Sequence, residues 1–143
     1  MDNNELLISI YQNTSTAMQS INDLIKKTED KKLKDLLNAQ YKRYDKFQAK
    51  AEKLAHTMQV ELKDNNWFEK AKLWSSVQMS TFTDNSTRHL AELMLVGTVM
   101  GTLTCYKNKD DYKTADEQTL KLLAELETME EDNFNELKKY LKG

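Results

Sequence analysis

No proline occurs anywhere in this chain, and its glycines number three, at Gly97, Gly101 and Gly143. Sandwiches and barrels need turn residues at short intervals, so this scarcity leaves helices joined by polar turns. It equally excludes collagen-like and Pro-rich disordered chains. At 143 residues the chain has the length of one domain, and it can bury roughly two-thirds of its unfolded surface without metals or disulfides. The expectation is a single all-α domain over residues 1–143.

Charge narrows the function classes. Lys and Arg number 21 against 23 Asp and Glu, a formal net charge of −2. Phosphate neutralisation needs a concentrated positive surface, so no nucleic-acid partner is expected. The charge is uneven: Lys31 to Lys53 is basic and Asp110 to Asp132 acidic, as attracting helix faces would be. Cys105 is the only cysteine, so no internal disulfide ties the chain to an oxidising compartment. It reads as a packing residue, because a nucleophile needs a nearby base and neither histidine is close in sequence. The acidic N-terminus lacks the basic region of a signal peptide. The most apolar stretch, Leu90 to Leu103, is interrupted by Glu92 and too short for a membrane span. The reading is cytoplasmic, with no membrane partner.

Periodicity places five helices, at about 3–27, 31–60, 67–82, 88–107 and 115–141. The first carries Leu7, Ile10, Thr14, Ala17, Ile21 and Leu24, with a polar centre at Asn13 to Thr16, and Asp2 with Glu5 has the form of a capping box. Asp30 is the expected cap of the second, whose stripe runs Leu33, Leu37, Gln40 or Tyr41, Tyr44, Phe47, Ala51, Leu54 and Met58. The third carries Trp67, Phe68 and Trp74 on one face, as cover for the core or as a surface for a partner. The run Thr83 to Thr87 breaks the chain and supplies several caps. The fourth reads through Leu90, Leu93, Met94, Gly97, Met100, Gly101 and Thr104; the last, capped by Thr114 with Glu117, reads through Leu120, Leu123, Leu126 or Glu127, Glu130, Phe134 and Leu137. Two long hairpins joined by a connector with its own helix favour a bundle with one long crossover; the alternative keeps 67–106 as one kinked helix.

This order of elements, with Ser86-Thr87-Arg88-His89-Leu90-Ala91-Glu92 leading into Gly97-Thr98-Val99-Met100-Gly101, resembles the small bacterial ferritin-like four-helix-bundle proteins. The resemblance implies a ferritin-like bundle with an additional short crossover helix. Metal-binding members of that superfamily hold two irons with one Glu on each of two helices and Glu-x-x-His on the other two. That set is missing here. The first helix offers Asn13, Thr14 and Ser15, the second Gln40-Tyr41-Lys42-Arg43, the fourth Thr98 or Met94, and the last has Glu127, Glu130 and Glu131 without a histidine. No cofactor is therefore expected, and no enzymatic activity.

Three readings of function remain. The first is a non-catalytic module that self-associates as a homodimer or binds a protein partner, with Trp67, Phe68 and Trp74 as its surface. The second is a degenerate site for Zn, Mn or Fe, built from His89 and Glu92 on one helix with Glu127, Glu130 and Glu131 on another; nitrogen and carboxylate ligands suit those ions. The third is a small-molecule binder using the polar centre of the first helix with Tyr41 and Tyr44. His56 reads as a surface residue. Gly97 and Gly101, one turn apart, read as a close helix contact, since each costs roughly 1 kcal/mol relative to Ala in a helix interior.

Overall fold

The computed structural model describes residues 2–62 and 84–142. Four long helices make up the described chain: α1 (Asp2–Ile25), α2 (Lys31–Thr57), α3 (Thr87–Asp111) and α4 (Glu117–Leu137), followed by a 3-10 turn (Lys138–Leu141). No helix among the described residues is long and apolar enough to cross a membrane. The crossover helix expected over 67–82, with Trp67, Phe68 and Trp74, lies outside the described residues.

Caps set the helix starts. Asp30 is extended and accepts from Leu33 N at 2.9 Å. Ser86 does the same for His89 N, so α3 begins at Thr87. α4 starts from Asp116 rather than from Thr114: the Asp116 carboxylate takes both the backbone N and the hydroxyl of Thr119 at 3.0 Å. Thr114 and Asp2, each expected to cap its own helix, instead bond each other, side chain to side chain. At the other end of α2 the helix closes earlier than the expected residue 60. Gln59 takes a left-handed conformation at φ 56, Gln59 N donates to His56 O and Val60 N to Ala55 O. That crossed pair satisfies two orphan carbonyls of the last turn.

Contacts between helices fix their directions. Short turns make α1/α2 and α3/α4 antiparallel hairpins. Asn13 of α1 reaches Gly101 of α3 while Ser9 meets Asn108, so α1 and α3 are antiparallel. Tyr44 of α2 meets Glu130 of α4 while Lys50 meets Glu125, so these two are antiparallel as well. It follows that α2 and α3 point the same way, and that Thr57 and Thr87 stand at opposite ends of the bundle.

Each inner stripe repeats every three or four residues, as a helix with one buried face requires. Leu6, Leu7, Ile10, Ile21 and Leu24 of α1 meet Leu33, Leu37, Phe47, Ala51 and Ala55 of α2; Leu90, Ala91, Met94 and Leu95 of α3 and Leu122, Leu123, Leu126 and Leu137 of α4 complete the core. The buried hydroxyls of Thr14 and Thr98 donate to the carbonyls of Ile10 and Met94 one turn back, so they need no partner in the core. On α3 the buried set differs in part from the expected stripe: Leu95 and Thr98 face inward and Gly97 and Met100 face solvent, while Leu90, Met94 and Gly101 face inward and Cys105 is buried as a packing residue. The helix is apolar almost all round, so periodicity alone does not choose its inner face.

Candidate functional site

The middle of the bundle is polar, with one contribution from each helix. Glu130 of α4 is only 1% exposed. The buried Tyr44 hydroxyl of α2 donates to its Oε2 at 2.9 Å. Across from it, α3 presents Gly101. A Cβ there would stand 3.2 Å from Glu130 Oε1 and 3.1 Å from Asn13 Oδ1 of α1. Asn13 Nδ2 in turn donates to Gly101 O at 3.2 Å. A side chain at Gly101 would press on the carboxyl and the amide, which would have to give by a few tenths of an ångström.

Burial pushes the Glu130 carboxyl up to about 7, against the lowering effect of the Tyr44 hydrogen bond. Desolvation and the neighbouring Glu130 raise the Tyr44 hydroxyl well above its ordinary value. Cys105, one turn along α3, is pushed up to about 12 by burial and by Glu130 and Glu127. Held up there it stays a protonated thiol, suited to packing and not to nucleophilic attack.

One turn further along α4 lies Asn133. Its Oδ1 accepts from Arg43 Nη1 at 2.9 Å, while the Arg43 guanidinium grips both carboxylate oxygens of Glu136 at 2.7 and 3.1 Å. Gln40 makes only a long contact to Asn133 O at 3.5 Å. Gln40 Oε1 and Asn133 Nδ2 are buried without a hydrogen-bond partner, each at a cost of about 1–3 kcal/mol. Neither Arg43 nor Asn133 stands out from the sequence as a site residue. The available signal was the inward register of α4, which continues from Leu126 and Glu130 through Asn133 to Leu137.

The five residues expected to hold a metal are not brought together. Glu130 points into the core, Glu127 is 3.6 Å from Lys109 Nζ, and Glu92 and Glu131 are exposed. His89 sits in the first turn of α3, twelve residues before Gly101, or about 18 Å along the helix. The α3/α4 turn sets Gly101, not His89, against Glu130, so His89 lies several turns from Glu130 and Glu131. Among the described residues no group of three or more His, Cys, Asp or Glu is gathered where it could hold a metal ion. Beside the polar centre of α1, Gln48 Nε2 donates to Tyr11 O, Thr14 Oγ1 and Ser15 Oγ. Of the two glycines expected at a close helix contact, Gly97 makes none: nothing described lies within 4 Å of where its Cβ would be.

The outer face of α3 carries the opposite chemistry. Val96, Val99, Met100, Leu103 and Tyr106 are all exposed, Val96 and Leu103 by 54% and 53%. They are the only large hydrophobic side chains so exposed among the described residues, and they lie on successive turns of one helix. Beside them Val99, Leu103 and Tyr106 form one wall of a groove of about 380 Å³, and Glu131, Phe134 and Asn135 of α4 form the other. A helix apolar on both faces is ordinarily buried on both. The expected stripe through Gly97 and Met100 turns those residues inward; in the structure both face solvent. Among known proteins, no family model matches this chain, and neither a curated protein nor a solved structure does.

Proposed function

We propose that this chain is a non-catalytic helical bundle that works by association, with the outer face of α3 as its contact surface. The observation that carries the reading is the run of five exposed apolar side chains from Val96 to Tyr106. Contiguous apolar surface of this kind marks interaction sites more often than it marks bare solvent-facing protein. The chemistry inside the bundle supports the same reading. Among the described residues the one buried carboxyl is held by a tyrosine, the thiol is protonated, and no three groups that could hold a metal ion stand together.

We further propose a ferritin-like architecture for the bundle. The shared direction of α2 and α3 favours one long crossover between the hairpins, which is the arrangement of that superfamily. In this reading the places of the metal ligands are taken by Asn13, Tyr44, Gly101 and Glu130.

The test is to measure mass by light scattering and to titrate an apolar dye, anilinonaphthalene sulfonate, into the wild type and the Leu103→Glu variant. Leu103 is exposed, so the variant keeps its helix content. Loss of associated species, or of dye binding, on that substitution is the expected result. A wild-type chain that is strictly monomeric and binds no dye at this face sinks the reading.

A further inference from the structure

The outer face of α3 reads the same in both directions. We infer that its partner is a second copy of this chain, packed α3 against α3 in antiparallel fashion, with the two-fold axis passing between Val99 and Met100. This rests on the proposal that the α3 face is the contact surface, and it adds the partner and the register.

The argument is one of spacing and charge. In an antiparallel pair with that axis, residues equally distant from the midpoint stand at the same level on the two helices. Val99 then meets Met100 of the second copy, and Val96 meets Leu103. One turn further out Glu92 comes level with Lys107, and beyond that Arg88 with Asp111. The outward order is therefore apolar, apolar, acid with base, base with acid, on both sides of the axis. All of these residues are exposed, and at 3.6 residues per turn they share an arc of about 140° on the helix.

The four charged groups make no ion pair with any described residue, so all four are available across the interface. A parallel pairing of the same faces would set Glu92 against Glu92 and Lys107 against Lys107. Like charges at one level are disfavoured, and that selects the antiparallel register. The groove walled by Phe134 beside Leu103 and Tyr106 gives the second helix a recess rather than a flat surface. One helix face per copy lies at the small end of specific interfaces, about 1,200 Å² in total, so the dimer is expected to be reversible and concentration-dependent.

The experiment is sedimentation of the full chain over a concentration series, with the wild type, Leu103→Glu, Lys107→Glu, and the double variant Glu92→Lys with Lys107→Glu. The expected results are a wild-type dimer, a Leu103→Glu monomer, and dimerisation weakened about tenfold or more by Lys107→Glu, because two acid–acid levels replace two acid–base levels. The double variant restores wild-type association, a rescue that only the antiparallel register provides. A dimer abolished by Leu103→Glu but indifferent to charge reversal overturns this register and leaves the contact face standing. A wild type that stays monomeric while binding the dye at this face overturns the second copy as partner. Tryptophan emission covers the last occupant: a shift caused by Leu103→Glu in a monomeric protein assigns the face to the chain's own Trp67 or Trp74, and overturns both proposals. A single Met100→Cys substitution offers an independent check. Close to the axis it should form an intermolecular disulfide on oxidation, and failure to do so counts against the axis even where a dimer is seen.

Discussion

The two faces of α3 depart from the pattern of an ordinary amphipathic helix in different ways. Inward it sets Gly101 and Cys105 beside a buried carboxyl and an asparagine; outward it presents Val96, Val99, Met100, Leu103 and Tyr106 to solvent. Each face breaks a local rule, and the two breaks have different physical meanings. The inner polar groups are tied to one another across four helices, so they are tightly constrained and costly to disturb. The outer apolar groups are about half exposed among the described residues, so replacing them should leave the fold alone and change what the fold can meet. Departures from local rules concentrate where a protein is strained or functional, and here the connected face specifies the structure while the unconnected one is left for association.

The largest way to break this contrast is at Gly101. Gly101→Leu drives a side chain into Glu130 and Asn13 and should cost about 3 kcal/mol or more in urea denaturation. Loss of less than about 1 kcal/mol would show that the polar centre yields easily. Next in size is Tyr44→Phe, which leaves the buried Glu130 without its donor and should cost about 1–3 kcal/mol. The pH dependence follows. In the fold burial pushes the Glu130 carboxyl up to about 7 from its ordinary value of 4.5, so the folded state holds a proton that the unfolded chain releases. The stability that Glu130 contributes is therefore fully present below the unfolded value, falls as pH rises, and is lost above the folded value. Between pH 6 and pH 8 the fall should be about 1 kcal/mol, and Glu130→Gln should flatten that part of the curve; an unchanged slope in the variant assigns the dependence to other groups. Smallest of all is Leu103→Glu, whose effect on the stability of the monomer should stay within about 0.5 kcal/mol. A large loss there would mean that the outer face is already covered by this chain.

Much of the fold was legible in the sequence, since the stripes of α1 and α2 and the cap at Asp30 follow from a 3.6-residue period broken by polar turns. α3 was not, for a definite reason. With apolar residues on every side, its sequence is compatible with several inner faces, and the true one is chosen by Gly101 meeting Glu130, a contact made across the bundle. The same limit governs α4. Glu130 and Glu131 are neighbours in sequence but stand 100° apart on the helix, so a cluster of acids in the chain is not a cluster in space. The pairing of Tyr44 with Glu130 joins residues 86 positions apart, and no local pattern announces it.

That separation bears on the order in which the chain folds. α1 with α2, and α3 with α4, are each closed by a short turn and can form early at little loop-closure cost. The bonds from Tyr44 to Glu130 and from Asn13 to Gly101 span 86 and 88 positions and exist only once the two hairpins have docked in register. If they form after the transition state, weakening them should hasten unfolding far more than it slows folding, which a chevron of Tyr44→Phe checks. The polar centre then acts as a latch on the finished bundle, and the lifetime of the native state, more than the speed of reaching it, is set there.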